Sequence, residues 1–239
     1  MNSAPVPWPE VLKLQDFVDD YLRTNARINV LEAGCGSAQH LDMGSNVHFT
    51  GIDISTTQLD NPTNSYMDEK IIGDIQVYDF QAGKFDIVIC WDVLEHLSSP
   101  EKALKRFSHC LKGNGLLIIA LPNVLSFEAL ITKFFPHIAH VYIHRYIFKN
   151  KNAGNEGYAP FPTYMRFSVS PDAIKKNASS LGFEIPYWAK YDRGRGQQLS
   201  LSNPIIYRFY RLASIIAKVG TFGKVDDKKS SFVAVLTKT

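Results

Sequence analysis

The segment Phe85–Trp91 constrains the fold of this chain most, because it reads FDIVICW and is apolar at every position except Asp86. A strand that is apolar on both faces is typical of the interior of a parallel sheet, where helices cover both sides. Parallel neighbours need a crossover connection, which is usually a helix. Ser99 is predicted to cap such a helix, Pro100 suits its first position and Glu101 favours its N-terminus.

The same alternation of strand and helix recurs along the chain. The strands are predicted at 28–32, 47–54, 70–73, 85–91, 115–121, 183–190 and 231–237. Helices are predicted from Pro9, from Pro100 to a stop at Gly113, from Ser170 to about Leu181, and over 203–219. This order predicts an α/β fold with a doubly wound, mostly parallel seven-stranded sheet and an antiparallel last strand at its edge.

We expect one domain over 1–239, with an N-terminal helix in 1–27 and a helical or loop lid inserted at 123–168. The formal net charge of +3 is too small to indicate nucleic-acid binding. Cys35, Cys90 and Cys110 are interpreted as reduced thiols of a cytoplasmic protein. No secretory signal is visible, and the longest apolar run, 116–121, is far shorter than the roughly 20 residues that span a bilayer.

A glycine turn follows the first strand. Gly34 and Gly36 permit a tight turn and let a ligand lie against the backbone. A dinucleotide fingerprint would place a third glycine at position 39, where this chain has Gln39. The stretch 37–43 is also too short for a long helix, so the turn favours a ligand without phosphates over a pyrophosphate.

Two carboxylates follow the second and third strands at the same edge of the sheet. Asp53 could accept both hydroxyls of a ribose. Asp74 could accept from an adenine amino group, while the Ile75 amide donates to the ring. Both aspartates could instead be turn or cap residues, since Asp favours both positions.

The pieces LEAGCGS, GIDIS, GDI, FDIVICWDVLEHL and GNGLLIIALPN, in this order, resemble the class I S-adenosylmethionine-dependent methyltransferases of the small-molecule group with a Glu-x-Gly-Cys-Gly motif. The resemblance covers about 30–123 and implies a Rossmann-like sheet with S-adenosyl-L-methionine as cofactor and S-adenosyl-L-homocysteine as product. It departs from the family's usual pattern in the compressed segment 37–43.

The resemblance also implies where the cofactor would lie. Its amino-acid half would border Glu32, Gly34, Cys35 and Gly36, its ribose would meet Asp53 and Ile54, and its adenine would meet Asp74 and Ile75. Cys90, Trp91 and Asp92 would line the floor of the site after the fourth strand.

His96 is the candidate general base, because it follows the fourth strand and an imidazole titrates near pH ~6.5. The alternative is a structural turn in which His96 only packs or hydrogen-bonds locally.

The lid is rich in aromatic residues and histidines, which suits an apolar or aromatic acceptor with a few polar anchors. The predicted acceptor-binding residues are His137, His144, Tyr158, Tyr164 and Arg166. Further lid aromatics and histidines are Phe134, Phe135, His140, Tyr142, Tyr146 and Phe161. These rings could instead pack on one another.

His137, His140 and His144 share a helical face, but no nearby acid completes a ligand set, so we expect no metal centre.

The amphipathic helix at 203–219 could cover the pocket, form a dimer interface or touch a membrane surface. Its pattern favours packing against protein.

The predicted function is methyl transfer from S-adenosylmethionine to a small molecule, with O-methylation favoured and N-methylation as an alternative, on a natural-product, lipid-precursor or sugar acceptor. We expect no nucleic-acid partner and no membrane span, and a homodimer is left open. The competing hypotheses are a non-catalytic S-adenosylmethionine-binding protein and a nucleic-acid methyltransferase; the low charge and the lack of an Asn/Asp-Pro-Pro-aromatic motif argue against the latter. An oxidoreductase is more distant because of Gln39.

Overall fold

The computed structural model describes residues 8–36, 39–134, 136–147, 149–155, 158, 160–164, 166–226 and 228–239. The predictions that concern Ser37, Ala38 and Phe135 lie outside these residues.

Seven strands form one sheet in the order β3-β2-β1-β4-β5-β7-β6. They are β1 (Ile28–Ala33), β2 (Val47–Asp53), β3 (Glu69–Ile72), β4 (Phe85–Trp91), β5 (Leu111–Pro122), β6 (Phe183–Tyr191) and β7 (Ser231–Lys238). The first five strands pair in parallel, and β7 runs antiparallel to both β5 and β6. The predicted fold class is therefore confirmed.

The predicted edge position of the last strand is wrong, because β7 lies between β5 and β6. The physical reason is visible in the side chains. The first six residues of β7 are all buried, whereas β6 alternates between covered and exposed positions. A strand that is buried on both faces is stabilised most by a neighbouring strand on each side, so β7 lies inside the sheet and β6 forms its edge.

Eight helices occur in the described residues. They are α1 (Pro9–Thr24), α2 (Thr56–Leu59), α3 (Pro100–Cys110), α4 (Phe127–Phe134), α5 (His137–Tyr142), α6 (Pro171–Ser180), α7 (Arg195–Ser202) and α8 (Pro204–Gly220). A π-helical turn, Ile143–Ile147, extends α5, and a 3₁₀ turn, Leu94–His96, follows β4. On one face of the sheet the core contains side chains of α3 and α6, and on the other it contains those of α1.

The ends of α3 differ from the prediction. The Ser99 hydroxyl makes no capping hydrogen bond, because Ser98 and Ser99 are held instead by Gln76 Oε1, which accepts from the Ser99 amide at 2.8 Å. The helix also ends before Gly113, at Cys110. Leu111 is fully buried and already pairs with β4, so the chain enters β5 at once. By contrast, the Ser170 hydroxyl caps α6 as predicted.

The connection from β1 to β2 contains no helix in its described parts, 34–36 and 39–46. This agrees with the compressed segment noted in the sequence. The chain instead lays the His40 ring flat on Trp91, with centroids 4.2 Å apart. Cys35, Cys90 and Cys110 are free and buried, as expected of reduced thiols.

Within the described part of the chain, none of the helices combines the length and apolar character needed to cross a membrane.

Candidate cofactor and acceptor site

The glycine turn after β1 is held close to the loop after β4. Gly34 has a φ of +74°, and its amide donates to the Ile52 carbonyl at 2.7 Å. A Cβ on Gly34 would come within 2.3 Å of Val93 Cγ2, so only glycine fits. Gly36 also has a positive φ, +52°, but among the described residues a Cβ there would meet only the Gly34 carbonyl oxygen, at 3.9 Å. The turn is thus closed towards Val93 and open at Gly36, where a ligand could approach the backbone.

The side chains of Glu32 and Cys35 are buried and face away from solvent. The Tyr66 hydroxyl donates to Glu32 Oε2. Burial raises the pKa of Glu32 to about 7, although the Tyr66 hydrogen bond acts to lower it. Burial likewise raises the pKa of the Cys35 thiol to about 12. These two residues would meet a ligand through their backbone, which leads into the glycine turn.

Asp53 ends β2 and keeps one carboxylate oxygen available. Its Oδ1 accepts from the Ser55 amide at 2.9 Å, so the predicted turn role holds for that oxygen. No hydrogen bond from the described residues reaches Oδ2. The neighbouring Ile54 is 76% exposed, and Ile72 and Val77 are also exposed. Exposed aliphatic side chains beside a carboxylate suit a ribose with an attached aromatic ring.

Both carboxylate oxygens of Asp74 accept hydrogen bonds within the protein, whereas only one oxygen of Asp53 does so among the described residues. The Asp74 Oδ1 accepts from the Gln76 amide at 2.8 Å, and both oxygens lie 3.1 Å from Gln76 Nε2. The turn interpretation therefore describes Asp74 well. The side chain of Ile75 is buried, and its amide donates to no acceptor among the described residues. That amide is the group left to meet an adenine ring.

The residues predicted to form the floor of the cofactor site, Cys90, Trp91 and Asp92, differ in how far their side chains are buried. The Cys90 side chain is fully buried in the core, so only its backbone could face a ligand. Trp91 is covered by His40, whose pKa burial lowers to about 4. Asp92 has a φ of +55°, and its carboxylate accepts hydrogen bonds from Arg193.

A cavity of about 440 Å³ lies beyond the ends of β4 and β5, beside the start of β7 and under α4 and α5. Of the predicted site residues, Asp92, His96, His137 and His144 line it, together with His140. Tyr158, Tyr164 and Arg166 do not, and Arg166 lies over the exposed Tyr164 ring instead. Their prediction as acceptor-binding residues gains no support from this cavity, because the lid turns these side chains outward.

The cavity is also lined by charged residues that the sequence did not single out: Glu95, Glu128, Lys133, Arg193 and Arg195. Arg193 binds Asp92 through two hydrogen bonds, the longer at 2.7 Å. Burial alone would lower the pKa of Arg193, and Asp92 more than offsets this effect. Burial, and after it the Asp92 charge, raise the pKa of Glu95 well above its usual range. The only signal in the sequence is the pair Arg193 and Arg195, which follows β6 directly.

His96 is held by the lid in one orientation. Its Nδ1 lies 2.7 Å from the Pro162 carbonyl oxygen. A carbonyl can only accept, so Nδ1 carries a proton, and in the neutral ring Nε2 is the nitrogen with the lone pair. The Tyr164 amide donates to the Glu95 carbonyl at 3.1 Å, which fastens the same lid segment to the turn that carries His96. The Glu95 carboxyl lies on the Nε2 side of the ring, with its Oε1 4.0 Å from Nε2.

The three lid histidines face the cavity without forming a metal centre in the described chain. No group of three or more His, Cys, Asp or Glu side chains that could hold a metal occurs among those residues.

The sheet order, the glycine turn and the acidic strand ends define the class I methyltransferase fold, and the donors present fit a phosphate-free adenosine ligand. A family model described as a methyltransferase domain matches residues 11–186, and the chain belongs to this family. The predicted family is thereby confirmed, and S-adenosylmethionine is the cofactor that goes with it.

Two named relatives share part of the sequence. The ubiquinone biosynthesis O-methyltransferase of Coxiella burnetii is 26% identical over 169 residues, which are 66% of this chain and 64% of that protein. The chain therefore spans slightly less than two thirds of that relative's length. Phosphoethanolamine N-methyltransferase 2 of Caenorhabditis elegans is 27% identical over 124 residues, which are 49% of this chain and 28% of that protein.

Solved structures show the same fold at low identity. An S-adenosylmethionine-dependent methyltransferase from Mesorhizobium loti has a TM-score of 0.55 at 12% identity, covering 98% of this chain and 99% of that one. The cyclase SpnF also has a TM-score of 0.55, at 18% identity, covering 95% of this chain and 80% of that one. These similarities concern the fold alone.

Proposed function

We propose that this protein transfers a methyl group from S-adenosylmethionine to a hydroxyl of a small-molecule acceptor. One observation carries the proposal. The glycine turn and Asp53 lie at the same edge of the sheet as a cavity of about 440 Å³, which is lined by His96 with its Nδ1 bound to the Pro162 carbonyl. That volume suits a small organic molecule rather than a polymer.

The residues of the chain divide into two groups in this proposal. The open backbone at Gly36, the Asp53 Oδ2 oxygen and the Ile75 amide would hold the cofactor, with the exposed Ile54 beside its ribose. When bound, S-adenosylmethionine supplies an activated methyl group on its sulfonium. The cavity under α4 and α5 would hold the acceptor and exclude water, and orientation of this kind contributes roughly 7–11 kcal/mol in favourable cases.

His96 would act on the acceptor hydroxyl. Its Nε2 would accept the hydroxyl proton as the acceptor oxygen takes the methyl group and S-adenosylhomocysteine is released, while the Pro162 carbonyl would keep Nδ1–H in place. O-methylation is favoured over N-methylation because this geometry provides a proton acceptor, and the C. burnetii relative is named as an O-methyltransferase.

Calorimetry with S-adenosylhomocysteine tests the cofactor half of the proposal. We expect the wild type to bind it and not NAD⁺, and Asp53→Ala to bind about tenfold or more weakly, since a ribose contact is lost. Asp60→Ala, which removes an exposed aspartate after α2, is the matched control and should bind as the wild type does. Absence of binding by the wild type would overturn the proposal.

The catalytic half is tested by His96→Ala with an acceptor found by screening phenols, other alcohols and amines. We expect turnover to fall by roughly 10²–10⁴-fold, the usual contribution of a general base, with S-adenosylhomocysteine binding retained. His109→Ala, at an exposed position of α3, is the control. Near-normal turnover of His96→Ala would show that His96 serves only as a structural contact to the lid.

A further inference from the structure

The outer face of α8, formed by Ile205, Ile206, Phe209, Leu212, Ile215, Ile216 and Val219, carries exposed apolar side chains. Phe209 is 69% exposed and Val219 is 71% exposed. The pattern of α8 favoured packing in the core or at an interface with protein, and the described residues of this chain leave the outer face uncovered. The residue that α8 buries is Ser214, which lies on the opposite side of the helix.

The orientation of α8 is set by its inner side. Tyr210 packs edge-on against Phe127 of α4, with centroids 5.1 Å apart, and Ser214 is fully buried. At about 100° per residue, the outer face then spans roughly half of the helix circumference. Arg208 is the one charged residue within that arc.

Along the sequence of α7, α8 and the residues that follow them, the charges all have one sign. Between residues 195 and 225 the sequence contains no Asp or Glu. The basic residues in this stretch are Arg195, Arg208, Arg211, Lys218 and Lys224. The helix α8 combines a wide apolar face that contains Arg208 with Arg211 and Lys218 elsewhere on its circumference, and it has no acidic residue. This is the composition of helices that lie in the interface of an anionic bilayer.

A second copy of the chain fits this face less well than a bilayer does. A two-helix seam uses a narrow stripe of positions, whereas the exposed arc here is roughly half of the helix. Self-association would also bring two basic, acid-free surfaces together, and like charges repel. Anionic lipid headgroups offer both the apolar layer and the complementary charge.

The outer face is continuous with the elements around the acceptor cavity. The helix α7 directly precedes α8, its Arg195 lines that cavity, and its Leu201 is exposed near the start of α8. Phe222, just after α8, is exposed as well. Apolar side chains thus extend beyond both ends of α8.

We propose that the outer face of α8 docks the protein on the surface of a membrane that contains anionic lipids. The helix lies in the plane of the interface, with Phe209, Leu212 and Ile216 in the acyl boundary and Arg208 among the headgroups. This inference goes beyond the proposed function and does not depend on methyl transfer.

Vesicle flotation with the whole chain tests the proposal. We expect the wild type to float with vesicles of phosphatidylcholine and phosphatidylglycerol, but not with phosphatidylcholine alone, and to be released as salt increases. The double variant Phe209→Glu/Ile216→Glu should bind about tenfold or more weakly, because both side chains would enter the apolar layer with a charge. Arg208→Glu should bind roughly tenfold more weakly through charge alone.

Leu12→Glu is the matched control, because Leu12 is 53% exposed on α1, outside this face. It should float as the wild type does, and circular dichroism should show that every variant is folded. Equal flotation of the wild type and the double variant would overturn the proposal. It would also be overturned if the wild type did not float and sedimented as a dimer that the double variant converts to a monomer, since the face would then bind a second copy.

Discussion

At the scale of single residues, Gly34 fixes the shape of the glycine turn, because its positive φ and its close approach to Val93 both exclude a larger side chain. Gly34→Ala is expected to destabilise the protein in two ways. An alanine at positive φ costs roughly 1–2 kcal/mol. The 2.3 Å approach of its Cβ to Val93 Cγ2 adds overpacking of about 1–3 kcal/mol. Urea unfolding would measure both, and S-adenosylhomocysteine affinity should fall as the turn shifts.

Gly44→Ala separates the two contributions. Gly44 has a similar φ of +64°, but a Cβ there meets nothing within 4 Å, so only the backbone cost is expected. The double variant Gly34→Ala/Val93→Ala should be more stable than the two single changes would predict by addition. If the two changes are simply additive, the contact with Val93 is not the cause of the destabilisation.

At the scale of elements, the Asp92–Arg193 ion pair joins the end of β4 to the segment after β6. Arg193→Met is expected to lower the free energy of unfolding by about 2–3 kcal/mol. This is slightly below the usual cost of breaking a buried pair, because Asp92 is still one-third exposed. Chemical denaturation would measure the loss. Arg195→Met is the control, since Arg195 is more exposed and its 4.0 Å contact to Glu128 is weak. Equal losses in the two variants would refute a special role for the Asp92 pair.

The elements also show which parts of the fold the sequence could predict. The buried strands were predictable because their apolar runs are continuous, and Pro100 and the Ser170 cap mark helix starts through purely local chemistry. The failures involve partners distant in sequence. Ser99 is held by Gln76, 23 residues earlier, and β7 finds its interior place by pairing with β5. Local patterns contain no information about such contacts.

The same distinction applies to the candidate site. The glycine turn, Asp53 and His96 were predictable because they follow strands, and the ends of parallel strands meet at one edge of a sheet. The acceptor cavity was not, since its charged residues come from α4, α7 and the segment after β6. Whether Tyr164 points inward depends on how the lid folds, and the lid lacks a regular apolar period.

At the scale of the whole molecule, two buried groups make stability depend on pH in opposite directions. The pKa of Glu32 is raised from 4.5 to about 7 by burial, so the native state retains a proton that the unfolded chain releases. The contribution of Glu32 to the free energy of unfolding is fully present below pH 4.5 and is lost as the pH rises through about 7. Burial lowers the pKa of His40 from 6.5 to about 4. Its contribution is present above pH 6.5 and is lost as the pH falls through about 4. The two effects largely cancel in the wild type between pH 4.5 and 6.5.

Single substitutions should therefore reveal each effect. Glu32→Gln keeps an acceptor for the Tyr66 hydroxyl but cannot titrate, so the wild type should lose about 3 kcal/mol relative to this variant between pH 4.5 and 7. Relative to His40→Gln, the wild type should instead gain stability, by a similar amount, as the pH rises from 4 to 6.5. Urea unfolding of the three proteins across this range would measure both differences. Asp16→Asn, at an exposed position of α1, supplies a baseline for the loss of one surface carboxylate. If the curves of the wild type and Glu32→Gln run parallel from pH 4.5 to 7, Glu32 does not retain its proton in the folded protein. The hydrogen bond from Tyr66 would then have to hold a buried carboxylate in its charged form beside the glycine turn.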